Sequence, residues 1–187
     1  MPTPIEVARK EIGVREPQAY GRYAGGRQEA WCAHFASWVF DQAGVPFAEY
    51  IAPSPTRASP TASVSFVASV LSKLGRLMPP TETPQPNDLI FYKQTEGGKF
   101  VTPGRFGLSV GLGHVGIVEG IEGDKVVSIE GNLSDRVARV RTPRNSPNIA
   151  FYGRPFTKAQ VVAAGAGGAA ALVAAGIGVY LLMRSRK

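Results

Sequence analysis

The hydrophobic period of the chain changes partway along, and that switch limits what it can fold into. Early on, apolar residues recur at helical spacing over Pro4 to Ile12, over the stretch beginning at Trp31, and over Ala62 to Leu74, beyond a Pro- and Ser-rich run at Pro53 to Pro60. The later part reads as short β-rich runs between turn residues: Asp88 to Tyr92, Gly113 to Ile121, Val126 to Glu130, Val137 to Arg141 and Ile149 to Gly153. Helices gathered at one end and strands at the other predict an α+β fold, with N-terminal helices packed on a C-terminal antiparallel sheet. At 187 residues, 44% of them hydrophobic, the chain is sized for one domain plus an appendage.

The single cysteine falls at a junction in this pattern. Trp31, Phe35, Trp38, Val39 and Phe40 form an apolar stripe, Ser37, Asp41 and Gln42 lie off it, and Gly44 followed by Val45-Pro46 closes the helix. Cys32 therefore sits in the first helical turn, where unpaired backbone N–H groups and the positive end of the helix dipole favour a thiolate. A lone cysteine is more often a small buried hydrophobe, so a nucleophile needs a partner. One cysteine cannot form an intramolecular disulfide, and Cys32, His34 and His114 are too few for a structural zinc site.

Two histidines compete as the base. His34 lies two residues after Cys32 on the same helix, about 200 degrees round it, and points away. His114 lies in the alternating run Gly113-His114-Val115-Gly116-Ile117-Val118-Glu119, with glycines leaving room beside it. A second strand, Lys125 to Asn132, follows the turn residues Glu122-Gly123-Asp124. Val115, Ile117, Val127 and Ile129 are all odd-numbered; if they face the core, His114, Glu130 and Asn132 share the other face. That arrangement predicts a loop of three or five residues, with Asn132 opposite Gly116 and Glu130 opposite Val118. A strict two-residue Gly123-Asp124 turn would reverse the parity.

These residues supply thiol chemistry. Cys32 attacks an acyl carbon, His114 takes the thiol proton and returns it to the leaving amine, and a polar third residue fixes the ring's orientation. Glu130 is the first candidate for that third role and Asn132 the alternative; the two can also act together. The oxyanion is met by the backbone N–H of Cys32 and one further group drawn from Tyr23, Gln28 or Trp31.

Four blocks in order, Glu29 to Phe40, Pro86 to Tyr92, Gly113 to Val118 and Ile129 to Asn132, resemble CHAP domains, papain-like amidases and peptidases of peptidoglycan related to the NlpC-type enzymes. The similarity runs over roughly residues 4 to 156. It implies a papain-like fold, with the family's nucleophile at Cys32, its base at His114, its third residue at Glu130 and a following polar position at Asn132. Asn87 stands where a glycine is common before the Asp-Leu strand. The segment Lys93 to Ser109 reads as an extended loop able to line the cleft. No cluster of Asp residues resembles a calcium loop, so neither metal nor cofactor is expected.

Residues 1–156 thus read as the catalytic domain and 157–160 as a short linker. Val161 to Met183 carries no charge and is long enough to cross a bilayer as a helix, before the basic tail 184–187, Arg-Ser-Arg-Lys. The expectation is a C-terminal membrane anchor, in a bacterial or a virion membrane. Small residues Ala164 with Gly168 and Ala174 with Gly178 give its helix a surface for self-association. The basic end favours the cytoplasmic side, yet Met1 to Val14 holds no apolar leader, which suits a phage lysis or virion enzyme as well as a secreted one.

The net charge of +7 is the remaining feature of composition. Arg136, Arg139, Arg141 and Arg144 lack the aromatic interleaving of a single-strand nucleic-acid binder, so no nucleic acid is expected, and attraction to the polyanionic wall is the more economical account. Three functions stand: a peptidoglycan amidase or endopeptidase, a papain-like protease or transamidase acting on protein, and an idle structural protein. Which amide is cut is not encoded in these motifs.

Overall fold

A computed structural model describes residues 2–44, 63–102 and 104–155. The Pro- and Ser-rich run 53–60 and the apolar segment 161–183, with the anchor expected there, lie outside the described residues. Among the described residues no helix is long and apolar enough to cross a membrane.

The helices are α1 (Pro4–Lys10), α2 (Gln18–Tyr23), α3 (Cys32–Gln42) and α4 (Val64–Lys73). The α1 helix starts where Thr3 and Glu6 satisfy each other's backbone N–H groups in a capping box ahead of Pro4; Ser63 caps α4 through the N–H of Phe66. The strands are β1 (Leu77–Met78), β2 (Leu89–Lys93), β3 (Thr95–Glu96), β4 (Lys99–Phe100), β5 (Leu112–Glu122), β6 (Lys125–Glu130), β7 (Ala138–Pro143) and β8 (Ile149–Gly153). Six of them form an antiparallel sheet in the order β1-β8-β2-β5-β6-β7. The predicted extended loop after Lys93 is instead the β3-β4 hairpin followed by a short 3-10 turn at Arg105–Gly107. Segregated helices and an antiparallel sheet make this an α+β fold that fits the papain-like expectation.

Helices α1, α3 and α4 bury their apolar sides against Leu89, Phe91, Val115, Ile117 and Ile129 on one face of the sheet. The opposite face holds Ile90, Val118, Val126, Ile149 and Tyr152. That second face is a curled trough. Strands β2 and β7 are three spacings apart, about 14 Å along a flat sheet, yet the Tyr92 hydroxyl lies 3.1 Å from the Thr142 hydroxyl.

The second sequence block ties the layers together. Asn87 adopts φ 73, a left-handed conformation that asparagine tolerates and that explains why glycine also suits this position. Its Oδ1 accepts the N–H of Ile5 at 2.9 Å, holding the start of α1 against the sheet. Asp88, beside it, takes a two-point bond from Arg154 at 2.9 and 2.8 Å and so fixes the end of β8.

The β5-β6 connection departs from expectation. Glu122 pairs with Lys125, so the turn is the two-residue Gly123-Asp124, with Gly123 at φ 59 in its first central position. A bulge at Glu119 comes next: Gly120 pairs with Val127 but Val118 pairs with Ser128. The extra residue reverses the parity a second time. Beyond the bulge Ile117 pairs with Ile129, which brings Glu130 level with Gly116 rather than with Val118. Glu119 is anchored by Arg9 of α1 at 2.6 Å and by Arg139 of β7 at 2.6 and 2.9 Å. Arg141 is likewise bonded to Glu122 at 2.8 Å, so two of the four arginines read as wall-attracting are neutralised within the fold.

Candidate active site

The first turn of α3 is held down by its aromatic residues. The Trp31 indole N–H donates to Glu16 at 2.7 Å, and its ring stacks on Tyr23 at 5.5 Å between centroids. Gly131, just past the end of β6, lets the helix approach: a Cβ there would lie 2.6 Å from Cβ of Phe35 and 2.8 Å from the Trp31 ring. Cys32 is thereby set as the first helical residue against the sheet, 3% exposed. Its backbone N–H is among those at the helix start that have no partner within the helix.

His114 comes to it from β5. The ring neighbours Cys32, whose hydrogen bonding and charge act on it, and its Nε2 lies 3.0 Å from Oε2 of Glu130, so that Nδ1 is the ring nitrogen not engaged by Glu130. Glu130 reaches across the strand because Gly116 has no side chain; a Cβ at Gly116 would lie 2.6 Å from Cγ of Glu130. The carboxylate, 2% exposed, has its other oxygen occupied too. The hydroxyls of Tyr92 and Ser128 donate to Oε1 at 2.7 and 2.6 Å. Tyr92 also flanks the imidazole, with ring centroids 5.8 Å apart.

Electrostatics follow from this geometry. Burial disfavours a charged His114, but the hydrogen bonds and negative charge of Cys32 and Glu130 outweigh it, and its pKa is pushed up to about 10. Burial likewise acts to raise the pKa of Glu130, and the bonds and charge of His114, with the Ser128 and Tyr92 hydroxyls, overcome it and hold the carboxyl below its usual range. The site is a cysteine sulfur, an imidazolium and a carboxylate. Such an array can move a proton between sulfur and a leaving group while the ring stays fixed. Among the described residues no three His, Cys, Asp or Glu side chains are placed to hold a metal ion.

Other sequence candidates lie elsewhere. His34 is fully buried and turns to Glu29 at 2.9 Å, away from the thiol as its helical position implies. The Tyr23 hydroxyl, expected as a candidate oxyanion donor, donates to Glu11 at 2.6 Å inside the core. The Trp31 indole N–H is likewise spent, on Glu16 at 2.7 Å. Gln28 is exposed in the turn before α3. Asn132 lies beyond the end of β6 at φ 61, and among the described residues makes no hydrogen bond to His114. It does not pair with Gly116; Glu130 occupies that level. Sequence reasoning assigned no role to Tyr92, Ser128 or Thr142. Even numbering on adjacent strands was the available signal, since it places Tyr92 and Ser128 on the face of His114 and Glu130.

Over residues 22–132, more than half of its length, the chain matches the CHAP domain family. The chain belongs to that family. The matched span contains Cys32, His114, Glu130 and Asn132, and it ends where the sheet has delivered Glu130 to the histidine. No curated protein sequence matches this CHAP domain chain. Among solved structures, the crystal structure of Ly7917 is similar, with a TM-score of 0.48 and 17% identity, covering 80% of this chain and 59% of that one. The crystal structure of Ly7917 with the hydrolyzing product of MDP gives a TM-score of 0.45 at 17% identity, covering 81% of this chain and 62% of that one. The chain thus spans about three fifths of the length of Ly7917.

Proposed function

We propose that this CHAP domain is a cysteine-dependent hydrolase of amide bonds in peptidoglycan, with Cys32 as nucleophile, His114 as acid and base, and Glu130 as the residue that orients the ring. The carrying observation is the Cys32-His114-Glu130 array, in which His114 neighbours Cys32 and is held through Nε2 by Glu130 at 3.0 Å. The sulfur, its proton passed to His114, attacks the carbonyl carbon, and the developing oxyanion is met by the N–H of Cys32. His114 gives its proton to the amine as the C–N bond breaks and a thioester remains. Water, losing its proton to His114, then attacks the thioester, and the acid leaves with the thiol restored. Family membership supports the choice of peptidoglycan as substrate.

Mass spectrometry of purified walls exposed to wild type and to Cys32→Ala tests this reading. Wild type should release fragments with a new amine and carboxyl at one amide position, and Cys32→Ala none. Fragment release by Cys32→Ala overturns the assignment of the nucleophile. Cleavage of a casein-like protein with intact walls overturns the substrate.

The uncharged run Val161 to Met183 and the basic residues after it support a further reading, that the enzyme is tethered to a membrane and works on the wall beside it. Paired Leu172→Arg and Ile177→Arg substitutions should move the full chain from the membrane to the soluble fraction. An unchanged distribution rejects the tether.

A further inference from the structure

We infer that Tyr92 and Ser128, backed by Thr142, are positioning residues of the reaction: they grip one oxygen of Glu130 so that the other stays aimed at His114 throughout the cycle. This rests on the roles proposed for Cys32, His114 and Glu130.

The two oxygens of Glu130 are divided by function. Oε2 faces His114 at 3.0 Å, while Oε1 receives the Tyr92 hydroxyl at 2.7 Å and the Ser128 hydroxyl at 2.6 Å. An ionised carboxylate only accepts, so the single proton of Tyr92 goes to Glu130. The tyrosine oxygen must then accept from Thr142, 3.1 Å away, and the chain runs Thr142 to Tyr92 to Glu130. Every donor in it is neutral and keeps its proton. Tyr92 is kept in its protonated, donating form by burial first and then by the charge of Glu130, which together push its pKa well above the ordinary tyrosine value.

The reaction supplies the reason for such a device. When His114 hands its proton to the leaving amine, Glu130 loses its only cationic partner in the array while it is 2% exposed. A buried carboxylate left that way takes up a proton or turns toward water. Two fixed hydroxyl donors prevent both, so the ring is still held when water must be activated. Strands β2, β6 and β7 each contribute one hydroxyl, and only the curl of the sheet brings them together.

The test is a titration of Glu130 in the full chain by carbon NMR of labelled glutamate, assigned with Glu130→Gln and run beside the pH profile of wall lysis. Tyr92→Phe keeps the ring and removes the hydroxyl; Ser128→Ala removes the other donor. Each should raise the Glu130 midpoint and the acid limb of activity by about one pH unit, as expected for losing one bond to a charged group. The double variant should raise both further, with kcat falling and KM little changed. Ser128→Thr, which keeps a hydroxyl, should behave as wild type. Unmoved midpoints in folded Tyr92→Phe and Ser128→Ala overturn the inference, as does Ser128→Thr acting like Ser128→Ala. If Tyr92→Phe does not fold, the Ser128 pair alone decides. Shifted midpoints in the variants of a protein whose wild type releases nothing from walls would remove the substrate reading and leave this one standing. Wall lysis with unmoved midpoints removes this one alone.

Discussion

His114 is the residue on which the proposed chemistry turns, because it must hold a proton for the leaving amine and surrender it on cue. Its pKa of about 10 comes from two partners that favour the charged ring against burial. Removing one partner's charge should be visible in the pH dependence. Glu130→Gln keeps an oxygen to accept the ring N–H but deletes the negative charge, so the His114 pKa falls toward its ordinary value and the alkaline limb of wall lysis moves down by about one to three pH units. The rate at the optimum should fall on the order of 10²- to 10⁴-fold. An alkaline limb that stays near that of wild type would show that Glu130 does not govern the ring. At this scale the sequence was informative where residue types are scarce. One cysteine and two histidines left few choices, and helical geometry removed His34. It was uninformative for Tyr23 and Trp31, whose polar atoms pair with Glu11 and Glu16 across distances in the chain that no local pattern reports.

Elements show how Glu130 comes level with Gly116, beside His114, through a turn other than the one expected. A two-residue Gly123-Asp124 hairpin alone would carry Glu130 to the helix-facing side of β6, and the bulge at Glu119 returns it to the trough. Turn residues are local and can be recognised. A bulge is set by what its extra residue meets, here Arg9 and Arg139 from two other elements, and leaves little trace in the strand itself. Helices α1, α3 and α4 and strands β2, β5, β6, β7 and β8 were legible from their periodicity, whereas α2, β1 and the β3-β4 hairpin are too short to establish one. Gly131 makes the α3-to-sheet junction possible and Gly116 makes room for Glu130, and they should fail differently. Gly131→Ala meets Cβ of Phe35 and the Trp31 ring, rigidly packed atoms, and should cost about 1–3 kcal/mol of stability in denaturant unfolding. Gly116→Ala meets the flexible Glu130 side chain, which can swing aside at the expense of its bond to His114. That variant should lose most lytic activity and only the part of stability that the Glu130-His114 bond supplies. Gly131→Ala as stable as wild type would show that α3 can lift without cost.

Across the whole molecule the array also acts as a clasp between layers, since Cys32 belongs to the helices and His114 and Glu130 to the sheet. Its charge state should therefore be felt in global stability. His114 has a folded pKa raised from 6.5 to about 10, so it binds its proton more tightly folded than unfolded. The stability this adds is fully present below pH 6.5 and is lost as pH rises through about 10. Glu130 is shifted downward from 4.5; its contribution is fully present above that value and is lost as pH falls through the lower, folded pKa. Together they place the fullest clasp between pH 4.5 and 6.5, with a decline on the alkaline side through neutral pH and beyond. Thermal unfolding midpoints across pH 4 to 10 should track that course in wild type. In Glu130→Gln the alkaline decline should still begin near pH 6.5, where unfolded His114 loses its proton, but end at lower pH and be smaller, because the folded His114 then releases its proton sooner. A variant that declines over the same range as wild type would mean that the clasp adds nothing to the joining of helices and sheet, leaving the apolar interface and the Asn87 and Asp88 ties to hold the layers together.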